Sequence, residues 1–272
     1  MEGKAMDVSL LSFERLGVFA DWKLPTDEEL RFVAEDLKFN DIIIGVTRKK
    51  NTAWEPTYSA NRIEERVAAC RDAGLEPVVM PWAVRNGASI RDMCAVMRTV
   101  TNPTVAILLD AEENWYRSHG VNPEDAADLV DDYLKDRTWG CSSIGKAPSA
   151  VHPLARRAKF NVPQCYSFWK PTKDAHWSHK RSTFPGPQQD VGFKTWHDLN
   201  PDADLIMGNG CYWAARPASG QTPALGARHV MRFAFIETLA LGVTSSWIWS
   251  LKWMLEKGAR GDEVRAFFGV TP

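Results

Sequence analysis

Asp110 and Glu112 close an apolar run, Pro103-Thr-Val-Ala-Ile-Leu-Leu-Asp110-Ala-Glu112-Glu113, at a spacing of i, i+2. Side chains on a strand alternate faces, so Leu108, Asp110 and Glu112 are expected on one face and Glu113 on the other. Two neighbouring carboxyl groups can divide the labour of acetal cleavage. One gives a proton to the leaving oxygen and the other steadies the positive charge that grows at the anomeric carbon. Glu112 is longer by one methylene and is the candidate general acid, its pKa raised by burial and by Asp110. Asp110 would stabilise or orient the reacting group, and Asp21 would assist electrostatically.

Such a pair needs a scaffold that brings several strand ends to one place. Eight short β-branched or apolar runs recur along the chain: Leu16 to Trp22, Asp41 to Thr47, Glu76 to Trp82, Thr104 to Asp110, Gly140 to Lys146, Val162 to Phe168, Asp204 to Asn209 and Val243 to Trp249. Helical patterns separate them, including Thr26-Asp-Glu-Glu with its acidic first turn, Asn61 to Ala73 before Gly74, and Leu225 to Leu241 before Gly242. Further helices are expected at Ser89 to Thr99, Pro123 to Arg137, Ala150 to Lys159, Asp190 to Leu199 and Asp262 to Phe268. Alternating βα units with no linker or repeat predict a single α/β domain over residues 1–272, a (β/α)8 TIM barrel. The competing open doubly wound sheet lacks its usual signatures, since neither GxGxxG nor GxxxxGK[ST] occurs.

A barrel gathers the C-terminal ends of its strands at one mouth. Those ends carry Asp21, Trp82, Asp110, Glu112, Tyr166, Trp169, Asn209, Trp247 and Trp249. Acids, an amide and flat rings suit a carbohydrate, whose hydroxyls need polar partners and whose apolar faces stack on aromatic rings. Trp82, Tyr166, Trp169, Asn209, Trp247 and Trp249 are therefore the expected substrate-binding residues. A large ring facing a barrel interior is equally good as a plug, which leaves two roles open for Trp247 and Trp249. Trp139 and Trp196 fall near or within helical segments and are expected in the core.

Composition narrows the partners. A net charge of −1 with dispersed Lys and Arg argues against nucleic acid and anionic membranes, and the cluster Arg48-Lys49-Lys50 reads as a solvated loop face. Five separated cysteines read as free thiols, and no Cys/His spacing marks a metal site; His176 and His179 read as loop residues. No cofactor or metal is expected, and the chain is expected to be monomeric. No apolar stretch makes a signal peptide or membrane span, so synthesis in the cytoplasm is expected, followed by release, export or incorporation into a virion.

These residues resemble the glycoside hydrolase family 25 lysozymes, many of them from phages and cell-wall lytic systems. The resemblance rests on Gly17-Val-Phe-Ala-Asp21-Trp22, on Asp110-Ala-Glu112 and on the aromatic-rich Gln164-Cys-Tyr166-Ser-Phe168-Trp169. It implies a metal-free muramidase, an endolysin-type enzyme that cleaves peptidoglycan with the Glu as acid and an Asp assisting. Asp110-Ala-Glu112 is also similar to family 18 chitinases, in which the substrate acetamido group attacks and the Asp orients it. Asp21 is followed by Trp-Lys-Leu-Pro where family 25 has Ser-x-x-Gln. Two other readings fit the same residues: a virion or cell-surface barrel that binds glycans without cleaving them, and a metal-dependent lyase or aldolase with Asp110 and Glu112 as ligands.

Overall fold

The computed structural model describes residues 12–20, 23–50, 53–100, 102–117, 120–165, 188–210 and 227–270. The strands are β1 (Arg15–Phe19), β2 (Asp41–Gly45), β3 (Thr47–Lys50), β4 (Ala53–Pro56), β5 (Glu76–Met80), β6 (Ala106–Asp110), β7 (Trp139–Ile144), β8 (Phe160–Gln164), β9 (Asp204–Leu205), β10 (Met207–Gly210) and β11 (Ser245–Trp249). All but β3 and β4 form one parallel sheet in the order β10-β11-β1-β2-β5-β6-β7-β8-β9. Pairing of β10 with β8 at Gly208 and Gln164 closes it, and β9 and β10 together make the seventh of eight staves. The expected (β/α)8 barrel is the observed architecture.

Helices α1 (Asp27–Arg31), α2 (Ala60–Asp72), α3 (Gly87–Val100), α4 (Glu113–Tyr116), α5 (Pro123–Leu134), α6 (His152–Arg157), α7 (Gln188–Leu199), α8 (Ala227–Ala240), α9 (Leu251–Met254) and α10 (Ala259–Phe267) complete the chain. Local chemistry sets their ends. Thr26 and Glu29 form a reciprocal cap on α1, with Glu29 N–H donating to Thr26 Oγ1 at 3.2 Å and Thr26 N–H to Glu29 Oε2 at 2.8 Å. Gly74 and Gly242 take φ values of 80° and 78° just past α2 and α8, a conformation that costs glycine little.

The staves are buried on both faces, which is why they read as nearly continuous apolar runs. One face, including Val18, Ile42, Ile44, Val79, Ile107, Leu109 and Cys141, packs under the helices. The other fills the barrel with Phe19, Ile43, Val78, Met80, Leu108, Phe160, Val162, Ile206 and Trp247. Trp139 and Trp196 lie in the core, as expected.

At the floor, fully buried Asp41 accepts from Arg15 Nε and Nη2 at 2.6 and 2.7 Å and from Trp247 Nε1 at 2.8 Å. Gly17 sits against this knot. A Cβ there would stand 2.6 Å from Trp247 Cδ1 and 2.7 Å from Asp41 Cβ, so only glycine leaves room for the indole.

Two departures from expectation matter for the site. The strand expected at Val162 to Phe168 begins at Phe160 and ends at Gln164, so its terminal residue is Gln164. The cluster Arg48-Lys49-Lys50, expected in a loop, falls in β3 of the antiparallel ribbon β3–β4, which pairs apart from the barrel sheet.

Candidate functional site

Asp110 ends β6 and continues the interior face of Leu108, as the alternation rule requires. Its backbone is held from both sides: Asp110 N–H donates to Pro81 O at 3.1 Å, and Ala83 N–H donates to Asp110 O at 3.0 Å. The strand stops there. Glu112 is the N-cap of α4, with φ −91° and ψ −148°, so its placement comes from a turn and not from continued strand alternation.

That turn is tightly anchored. Ala111 N–H donates to Ser142 O at 2.8 Å, and Ser143 Oγ donates to Ala111 O at 2.7 Å. Fully buried Trp115 pins α4 by donating Nε1–H to Ala150 O at 2.7 Å. Buried Arg85 adds Nε to Trp115 O at 2.8 Å and Nη1 to Val121 O at 2.6 Å. A core tryptophan and a buried guanidinium thus determine where the half-buried Glu112 stands.

Gln164 and Ser142 complete the carboxyl cluster. Gln164 Nε2 donates to Asp110 Oδ1 at 2.9 Å and to Ser142 Oγ at 3.1 Å, while its own Oε1 is buried with no protein partner. All three residues are buried at the mouth end of adjacent staves. Burial pushes the Asp110 carboxyl well above its ordinary range, the Glu112 charge raises it further, and the Gln164 bond pulls the other way. Burial likewise raises Glu112, opposed by Gln164 and reinforced by Glu113. The expected elevation of Glu112 is present with burial as its largest cause, and the carboxylate that adds to it is Glu113 where Asp110 was expected. Glu113 is exposed and pairs with Arg117 at 3.2 Å, the surface role its position predicted.

Two half-buried rings stand at other strand ends. Trp82 bridges to Asp110 across the strand ends and is half-buried. Trp249, also half-buried, ends β11 and packs on Phe19 with ring centroids 5.0 Å apart.

Two expected substrate-binding residues lie elsewhere. Trp247 is 1% exposed and bonded to Asp41 at the opposite end of the barrel, which makes it the floor plug and not a sugar platform. Asn209 is fully buried and faces the helix layer, where Nδ2 donates to Ser246 Oγ at 2.9 Å and to Thr238 Oγ1 of α8 at 3.3 Å. The interior positions of β10 fall to Gly208 and Gly210 because the barrel closes tightly there; a Cβ on Gly208 would lie 2.8 Å from Pro163 O. Asp21, Tyr166 and Trp169 lie outside the described residues.

Sequence reasoning passed over Gln164 and Ser142. The available signal was an amide two residues after Val162 and four after Phe160, hence on the barrel-facing side. Among the described residues no three His, Cys, Asp or Glu side chains come together to hold a metal.

The sequence matches no protein-family model and no curated protein. Solved structures do match. They include the xylanase and α-amylase inhibitor protein XAIP-II from Scadoxus multiflorus, at TM-score 0.57 and 9% identity over 95% of this chain and 99% of that one. Thermotoga maritima Cel5A, solved with mannotriose, gives TM-score 0.57 and 13% identity over 95% and 98%. A chitinase from Bacteroides thetaiotaomicron gives 0.55 and 9% over 88% and 90%. What they share with this chain is the barrel.

Proposed function

We propose that the chain is a glycoside hydrolase acting on an amino-sugar polymer, with peptidoglycan as the first substrate to assay. The observation that carries the reading is the Asp110–Glu112 pair: two carboxyl groups, both raised, set against each other at the barrel mouth and tethered through Gln164. Neutral and ionised forms of such a pair coexist where an isolated exposed acid would be fully ionised. Half-buried Trp82, bridged to Asp110, supplies a ring beside it, and half-buried Trp249 supplies another from the end of β11 across the barrel. Among the similar barrels, Cel5A was solved with a mannotriose substrate and another is named a chitinase, which is in keeping with this use of the fold.

Glu112 is the general acid because it is the less buried member and caps a turn at the mouth. Its proton passes to the glycosidic oxygen as the C–O bond breaks and the bonding pair leaves with that oxygen. Asp110, when ionised, is steadied by the Gln164 N–H and opposes the positive charge at the anomeric carbon. Water completes hydrolysis and returns a proton to Glu112. Asp21 joins this proposal as an electrostatic assistant, on its position after β1 in the sequence. Tyr166 and Trp169 join it as sugar-binding residues, on their place after β8.

Glu112→Gln tests the assignment. Release of reducing ends from purified sacculi should fall by about 10²–10⁴-fold, the usual contribution of a positioned acid, with an unchanged circular dichroism spectrum. Full activity in this variant removes Glu112 from the acid role. Binding without any release by the wild-type chain would identify a lectin-like barrel.

A further inference from the structure

Asp110, Ser142 and Gln164 meet through side chains on three consecutive staves, β6, β7 and β8, and all three are buried. Both hydrogens of Gln164 Nε2 are used, one on Asp110 Oδ1 at 2.9 Å and one on Ser142 Oγ at 3.1 Å. Two groups are left unmet. Gln164 Oε1 is buried and accepts from nothing, and the Ser142 hydroxyl finds no acceptor for its own hydrogen among the described residues.

This pattern suits Asp110 only as an anion, because a carboxylate accepts while the neutral acid carries an O–H that must donate. Burial and then the Glu112 charge favour the neutral form of Asp110. The surroundings do not reverse this. Glu112 and Glu113 are acidic, Tyr116 and the Cys141 thiol are both pushed up by burial first, and no Lys, Arg or His pairs with Asp110 or Glu112 among the described residues.

The amide has no backbone partner to fix its sense. Its two partners can each work either way: a hydroxyl donates or accepts, and a carboxyl does so once protonated. Half a turn about Cγ–Cδ exchanges oxygen for nitrogen in nearly the same shape, which puts Oε1 within reach of Asp110 Oδ1 and Ser142 Oγ. The acid proton and the Ser142 hydrogen then both gain an acceptor. In exchange the amide hydrogens face the place that Oε1 had held, and two N–H···O bonds give way to two shorter O–H···O bonds.

We propose that Gln164 and Ser142 form a reversible relay under Asp110: the amide donates through Nε2 when Asp110 is ionised, and turns over to accept through Oε1 from Asp110 and Ser142 when Asp110 is neutral. Both are positioning residues. The consequence for catalysis rests on the glycosidase reading, since the relay keeps this acid bonded both between turnovers and while it opposes anomeric charge.

The test follows the full-length wild-type chain by nuclear magnetic resonance, without substrate, using isotope-labelled glutamine and aspartate. The Asp110 carboxyl carbon reports its charge, and the Gln164 amide is assigned through its own backbone. With Asp110 ionised, the amide hydrogens should show a strong Overhauser contact to Ser142 Hβ. With Asp110 neutral, that contact should fall several-fold, at the midpoint of the carboxyl signal. In Asp110→Asn it should not depend on pH. A contact unchanged across the titration, an Asp110 that does not titrate, or a change that persists in Asp110→Asn overturns the proposal; the first two are read on the wild type even if the variant does not fold. A purely structural amide would keep its contact throughout. Failure of the glycosidase reading shows separately, as unchanged strand length after incubation of peptidoglycan with the wild-type chain.

Discussion

Replacing Gln164 by leucine keeps the side-chain volume while deleting the donor to Asp110 Oδ1 and Ser142 Oγ. A hydrogen bond to a charged partner is worth about 1.5–3 kcal/mol, against about 1 kcal/mol for a neutral pair. If that difference, about 0.5–2 kcal/mol, is realised when Asp110 is ionised opposite the developing oxocarbenium charge, kcat/KM falls by about two- to thirty-fold, at 1.36 kcal/mol per decade. Stability should change little. The variant loses two hydrogen bonds but also loses the buried, unpartnered Gln164 Oε1, and the two effects offset to within about 1 kcal/mol. The pH dependence has a definite sign. Gln164 lowers both carboxyls, so its removal raises both and carries the pH–rate profile to higher pH. Reducing-end release across pH, for wild type, Gln164→Leu, Asp110→Asn and the double variant, supplies a complete cycle. The coupling should be about 0.5–2 kcal/mol; additivity within about 0.3 kcal/mol, with an unmoved profile, would refute the claim that Gln164 acts through Asp110.

Further outcomes follow from the same geometry. Asp110 is raised in the folded chain, so ionising it opposes folding: stability present at acid pH is lost as pH climbs from the ordinary carboxylate range towards the raised value. Asp110→Asn should therefore match wild type in acid and exceed it by about 1–3 kcal/mol at neutral pH while losing activity; lower stability at neutral pH would contradict the burial argument. Trp247→Phe removes a donor from Asp41 at the floor, and should cost about 1–2 kcal/mol in chemical denaturation without altering KM. Trp249→Ala should instead raise KM several-fold with kcat nearly constant, by analogy with the worth of one aromatic contact, about 0.5–1.5 kcal/mol. Interchanged effects of the two substitutions would reverse their assignments as plug and platform.

The eight staves, most helices and the Asp110–Glu112 pair were legible from residue order, because each rests on a local rule. A buried parallel strand must be apolar on both faces, an acidic capping box starts a helix, and a glycine with positive φ ends one. Alternation likewise carried Asp110 to the interior, since the strand runs unbroken up to it. The same rule failed at Glu112 because β6 stops two residues earlier and a turn pinned by Trp115 and Arg85 takes over.

What the linear order could not settle is which end of the barrel each ring occupies and where each stave stops. Trp247 and Trp249 share a face and differ by two positions, yet one meets Asp41 at the floor and the other Phe19 towards the mouth. Asn209 turned outward because β10 must press its glycines against β8 to close the cylinder. Gln164 gained its partners only through the stagger that sets β8 beside β7 and brings the amide to Asp110, 54 residues earlier in the chain. Periodicity is a property of a segment and is written in its residues; register and closure arise from many segments fitting one another, and they decided which polar groups meet.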